Sequence, residues 1–109
     1  MKQNQNMAAT NKSVIISPQA EKDILNILEY LKQNWNQKVI DDFIKKLESF
    51  YLIVATNPRL FGYYNKRKNI RNFTLSKQNI VFYRNTKTAI EIITIFDGRQ
   101  NKRKLKKIL

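Results

Sequence analysis

Apolar residues in this chain recur at helical spacing up to Asn57-Pro58 and at strand spacing beyond it, which places helices in the first half and sheet in the second. Proline disfavours a helical residue before it, so Asn57 marks the end of helical structure. Upstream, Val14-Ile15-Ile16 is a β-branched run that predicts a short strand. Ser17-Pro18 then supplies an N-cap and a proline at the first helical position, where its missing N–H is not needed. Ala20, Ile24, Ile27, Leu28, Leu31 and Trp35 form the stripe of an amphipathic helix of about 16 residues, with Trp35 expected in the core or between helices. Polar residues from Asn34 to Gln37 interrupt the pattern, and Ile40, Phe43, Ile44, Leu47, Phe50, Tyr51 and Val54 resume it. The two stripes predict a helical hairpin.

Beyond Pro58 the stretch from Arg59 to Asn69 shows no clean period and is expected to be a long exposed loop. Ile70 to Leu75, Ile80 to Arg84 and Ala89 to Phe96 are β-prone runs separated by Ser76-Lys77-Gln78 and by Asn85-Thr86-Lys87-Thr88, connections of hairpin length. They predict an antiparallel three-stranded meander. The expected fold is therefore α+β: a short N-terminal strand, then a two-helix hairpin packed on one face of an antiparallel sheet, then a short basic helix or tail over residues 99–109. Nothing else in the chain is expected to cover the other face. At this length one domain is expected, over residues 13–109, preceded by a polar segment, residues 1–12, expected to be disordered.

Charge divides at the same point. Residues 1–56 hold 7 Lys/Arg against 6 Asp/Glu, and residues 57–109 hold 14 against 2, so nearly all of the net +13 lies in the strand-rich half. That asymmetry implies a face that meets polyanions or an acidic protein. The chain has no His and no Cys, which removes disulfides, thiolate nucleophiles, the usual zinc ligands and the commonest base near neutral pH. Asp41 and Asp42 are adjacent and diverge on a helix, so a carboxylate-built metal site or acid pair is not expected, nor is any cofactor. No run approaches the ~18 to 20 apolar residues of a membrane span, and the N-terminus lacks a signal-peptide core, so a cytoplasmic protein without a membrane partner is expected.

Particular residues sharpen this outline. Val14-Ile15-Ile16-Ser17-Pro18-Gln19-Ala20, Ile27-Leu28-Glu29-Tyr30-Leu31, Asn57-Pro58-Arg59, Asn69-Ile70-Arg71-Asn72-Phe73, Ile80-Val81-Phe82-Tyr83-Arg84 and Ile92 to Gln100 follow one another in an order that resembles the RelE/ParE superfamily of bacterial type II toxins. The resemblance spans about residues 13 to 105 and implies the toxin of a plasmid-stabilisation type module, with a cognate acidic antitoxin as partner. Members of the RelE kind cut messenger RNA on the ribosome with clustered Lys, Arg and Tyr. On that pattern Lys68, Arg71 and Arg99 would be the catalytic groups of a metal-independent mRNA interferase. However, the pattern places an arginine just before the apolar pair of the middle strand, where this chain has Asn79 and Ile80, and a tyrosine near Leu105.

The ParE kind, associated with poisoning DNA gyrase, resembles the chain better in its two long helices and its Phe82-Tyr83-Arg84. The resemblance then makes Lys66, Arg67, Lys68, Arg71, Arg84 and Arg99 target- or phosphate-binding groups, and Lys102, Arg103, Lys104, Lys106 and Lys107 an antitoxin or polyanion contact. Gyrase is the first expectation, the ribosome with mRNA the alternative, and a non-toxic nucleic-acid-binding domain the third. Simpler roles stand beside these. Lys66-Arg67-Lys68 is also what a solvated loop looks like, Arg71 shares strand parity with Phe73 and can snorkel at a rim, and Tyr83 shares parity with Val81 and belongs in a core.

Overall fold

The computed structural model describes residues 11–109, so most of the polar segment expected at residues 1–12 lies outside the described residues. The elements are β1 (Ser13–Ile16), α1 (Pro18–Asn34), α2 (Gln37–Thr56), β2 (Tyr63–Asn65), β3 (Ile70–Thr74), β4 (Asn79–Asn85), β5 (Ala89–Asp97) and α3 (Lys102–Ile108). Five strands form one sheet in the order β1-β5-β4-β3-β2. β2 through β5 are antiparallel, as the hairpin turns predict, whereas β1 lies parallel to β5 with Ser13 opposite Ala89. The α1–α2 hairpin leaves β1, and β1 ends up beside the last strand rather than the next one in sequence. The sheet is thus mixed rather than wholly antiparallel.

Local chemistry explains the helix ends. Ser17 Oγ accepts from the Ala20 amide at 3.0 Å and donates to the Ile93 carbonyl at 2.7 Å, so one hydroxyl caps α1 and ties its start to β5. Asn36 Oδ1 caps α2 by accepting from the Val39 amide at 3.2 Å. Ala20 is fully buried, and its small side chain lets α1 approach β5 closely.

The main core lies between the helical hairpin and the sheet. Phe50 sits at its centre, stacked at 5.2 Å on Phe73 and 5.8 Å on Phe61, and edge-on to Tyr83 at 5.7 Å. Removing such a ring costs about 3–5 kcal/mol. Tyr83 is fully buried there, as its parity with Val81 predicts.

Three expectations need correction. The stretch expected to be a loop from Arg59 to Asn69 contains β2, joined to β3 by a four-residue turn in which Asn69 takes φ 57°. Asn tolerates that left-handed conformation better than most residues. Trp35 is not core: it follows the end of α1 in an extended conformation and is 60% exposed. The sheet's second face is not bare either. α3 lays Leu105 and Leu109, one turn apart, over Ile70, Ile80, Phe82, Ile93 and Phe96, making a smaller second core.

Candidate functional site

The cations predicted from sequence fall at opposite ends of the sheet. β4 runs from Asn79, opposite Asp97, to Asn85, opposite Ile90. The Lys66–Asn69 turn lies at the Asn85 end, and Arg99 lies just past Asp97 at the other, roughly 20 Å away along the strand. Lys68 and Arg99 therefore do not reach one phosphate together.

Arg71 is engaged internally. Its guanidinium is buried, donates through Nη1 to the carbonyls of Phe61 at 2.7 Å and Arg59 at 3.3 Å, and lies 4.0 Å above the Tyr63 ring. Tyr83 donates its hydroxyl to the Pro58 carbonyl at 3.0 Å. Together the two side chains hold the segment after α2 against the sheet. Arg71 is thus neither at a solvated rim nor free to meet a ligand.

At the Arg99 end, the guanidinium forks onto Asp97, Nε to Oδ1 at 3.0 Å and Nη2 to Oδ2 at 2.7 Å, and the Arg99 amide also donates to Oδ1. The side-chain hydrogen bond from Arg99 holds the Asp97 carboxyl below its ordinary range, and the same bond raises the Arg99 pKa. Beside this pair opens a cleft of about 620 Å³ between α1, α2, the end of β5 and α3. Tyr30, Leu31, Trp35 and Val39 give it apolar walls, and its charged lining is mixed, with Lys22, Lys46, Arg99 and Lys104 beside Asp23, Asp42 and Asp97. The sequence reading missed this cleft. Its one available signal was Trp35, a large apolar residue at the end of a stripe, next to the polar break between the helices.

The other end of the sheet is more uniformly basic. Lys66, Arg67 and Lys68 are exposed on the β2–β3 turn, Lys87 is exposed on the β4–β5 turn, and Arg59 is exposed after α2. Arg84 donates Nη1 to Glu91 Oε1 at 2.9 Å and Nε to the Lys68 carbonyl at 3.3 Å. Lys12 joins them through Nζ, which donates to Asn85 Oδ1 at 2.7 Å and the Thr86 carbonyl at 2.6 Å. Sequence reasoning missed Lys12, Arg59 and Lys87, because Lys12 reaches this place only through the pairing of β1 with β5.

The positions where a nuclease pattern calls for Arg and Tyr have another use. Ile80 packs against the second core and Leu105 is buried within it. The tail cations Lys102, Arg103, Lys104, Lys106 and Lys107 are exposed on α3 around Leu105. Among the described residues no helix is long and apolar enough to cross a membrane.

Comparison with known proteins agrees with this fold. Among solved structures, the chain is similar to one from the chromosomal ParDE toxin-antitoxin system of P. aeruginosa, with 13% identity, 81% of this chain and 97% of that one covered, and a TM-score of 0.66. It is also similar to the YoeB dimer from Staphylococcus aureus, with 18% identity, coverage of 79% and 95%, and a TM-score of 0.57. The E. coli DinJ-YafQ toxin-antitoxin complex gives 14% identity, coverage of 80% and 92%, and a TM-score of 0.55. At these identities the likeness is one of fold. No curated protein sequence matches the chain. The family model described as the ParE toxin of type II toxin-antitoxin system, parDE, matches residues 14–102. That span takes in all of the sheet but Ser13, both long helices and the first residue of α3, and the chain therefore belongs to the ParE toxin family of type II toxin-antitoxin systems.

Proposed function

We propose that this toxin arrests growth by binding DNA gyrase, with no bond-breaking chemistry of its own, and that a cognate acidic antitoxin neutralises it. The observation that carries the first part is the pairing of Ile80 and Leu105 in the second core, where RNA-cutting relatives are expected to present Arg and Tyr. Removing those apolar side chains would open the packing under α3, so this fold uses the two positions for stability. Support also comes from the separation of Lys68 and Arg99 and from the internal engagement of Arg71. Without convergent cations and a proton-transfer group, a pentacoordinate phosphate has nothing to stabilise it.

The cleft supports the second part. Its apolar walls suit the apolar face of an amphipathic segment laid into a groove, and its four cations, set against three carboxylates of which Asp97 is taken up by Arg99 and Asp23 by Thr94 and Ile95, suit acidic flanks. The experiment is induced expression in a bacterial host, with DNA supercoiling, DNA breaks and transcript ends followed in the same cultures. Loss of supercoiling or gyrase-dependent breaks with intact transcripts is the expected result. Rapid cleavage of ribosome-bound transcripts with unchanged DNA would replace it with the RelE-like reading.

A further inference from the structure

We infer that the end of the sheet carrying Lys12, Lys66, Arg67, Lys68 and Lys87 is a binding surface for the sugar-phosphate backbone of duplex DNA, held directly by this chain. The inference does not depend on gyrase, since it concerns naked duplex.

Charge is the first support. Lys12, Arg59, Lys66, Arg67, Lys68, Arg84 and Lys87 gather at this end, with Glu91 as the carboxylate among them, and Glu91 is occupied by Arg84 at 2.9 Å. Lys12 is held by two neutral acceptors, Asn85 Oδ1 and the Thr86 carbonyl, so its charge is positioned but not cancelled. A surface of one sign with little internal compensation attracts a polyanion and gains by releasing its counterions.

Rigidity is the second. Asn69 Nδ2 donates to the Asn85 carbonyl at 2.9 Å and Arg84 Nε to the Lys68 carbonyl at 3.3 Å, tying the β2–β3 turn to the end of β4. Lys12 adds the start of β1 to the same assembly. The turns therefore present their cations without the ordering cost of a flexible loop.

Spacing fits a duplex. In the order β1-β5-β4-β3-β2, the β4–β5 turn lies two strand gaps from the β2–β3 turn, and the start of β1 lies between three and four gaps from it. At ~4.8 Å per gap, Lys87 and Lys12 stand roughly 10 and 17 Å from the Lys66–Lys68 group. Those separations bracket the ~12 Å width of a B-DNA major groove, so the two groups meet phosphates on opposite sides of it. The tyrosines of β2 are half-exposed, but Tyr63 has Arg71 over one face of its ring and Tyr64 packs edge-on against Phe82 at 4.9 Å, so neither offers a ring free on both faces for stacking between bases, which favours the duplex.

Fluorescence anisotropy with a labelled duplex of arbitrary sequence, across a salt series on the full chain, tests this. With about five phosphates neutralised, affinity should fall roughly 500-fold between 50 and 200 mM salt. The triple substitution Lys66→Gln, Arg67→Gln, Lys68→Gln should reduce the slope of log affinity against log salt by about three. Its folding is protected, because Lys66 and Lys68 hydrogen-bond there only through main-chain atoms. A control with equal charge loss elsewhere, Lys32→Gln, Lys45→Gln, Lys77→Gln, should leave the slope nearly unchanged. Equal effects of the two triples, tighter binding of a single-stranded RNA of the same length, or no duplex binding at 50 mM salt would each overturn the inference.

Discussion

The Asp23 carboxylate accepts from the Thr94 hydroxyl and, at 3.0 Å, from the Ile95 amide, joining α1 to a bulge in β5 across 71 residues of chain. The bulge arises where Phe82 pairs with Thr94 and Tyr83 with Ile92, leaving Ile93 as the extra residue. A bulge frees main-chain donors that the ladder would otherwise use, and Asp23 takes one of them. The break in alternation lets Ile92 and Ile95 both face the first core while Ile93 faces the second.

Asp23→Ala leaves the fully buried Thr94 hydroxyl and the Ile95 amide without that acceptor. The expected destabilisation is about 2–4 kcal/mol in urea unfolding. In a double-mutant cycle with Thr94→Val, the coupling should reach at least about 1 kcal/mol. Additive effects of the two substitutions would show that the carboxylate does not pin the bulge.

Tyr51 offers a change in the opposite direction. Its hydroxyl is buried with no hydrogen-bond partner among the described residues, and burial pushes its pKa up to about 12. The unfolded chain ionises this group near its ordinary 10, while the folded chain keeps it neutral until about 12. Across that interval the folded state binds more protons, so stability falls as pH rises. Tyr83, raised first by burial and opposed by the Arg71 charge, acts in the same sense. Tyr51→Phe should be neutral or stabilising by up to about 1 kcal/mol at pH 7. It should also flatten the alkaline decline of thermal stability, and an unaltered decline would assign that loss to other groups.

Arg71→Lys separates a structural role from a binding one. Lysine cannot reproduce the two carbonyl contacts and the flat stack on Tyr63 together. A loss of about 2 kcal/mol is expected, with faster amide exchange in residues 58–65, while the duplex affinity of the folded protein stays within twofold. A large loss of affinity without destabilisation would make Arg71 a contact residue.

The long helices and the meander are legible in the sequence because each runs long enough to show its period, as Ala20 to Leu31 and Ile80 to Arg84 do. β2 is not, since three residues over Tyr63–Asn65 give less than two repeats of any pattern. The cover over the second face rests on Leu105 and Leu109, too few positions to distinguish a docked helix from a basic tail. The candidate surfaces are the least legible. Lys12 and Asn85 are 73 residues apart and meet only through the parallel β1–β5 pairing, which no local signal predicts.

Trp35 tests the cleft. At 60% exposure it contributes little to the core, so Trp35→Ala should change stability by no more than about 0.5 kcal/mol. If an antitoxin segment fills the cleft, an aromatic wall of this kind is an anchor whose loss costs about 2 kcal/mol or more in binding. Calorimetry with the co-expressed antitoxin should then show roughly thirtyfold weaker association, and undiminished affinity would place the antitoxin on another surface.

Leu105 makes simple truncation of the tail ambiguous. Deleting residues 100–109 removes Lys102, Arg103, Lys104, Lys106 and Lys107, but it also uncovers Phe82 and Phe96. A toxin so shortened would lose activity through its fold whether or not those cations touch anything. Leu105→Ala keeps every charge and should cost about 2–4 kcal/mol, with the Phe82 and Phe96 region losing amide protection first. Conversely, Lys102→Gln, Arg103→Gln, Lys106→Gln, Lys107→Gln keeps the Leu105 contact and should unfold within about 0.5 kcal/mol of the parent, since all four side chains are exposed. Antitoxin affinity that falls in the charge variant, at matched stability, assigns the tail to the partner. Affinity that falls only in Leu105→Ala, in step with unfolding, assigns it to the second core.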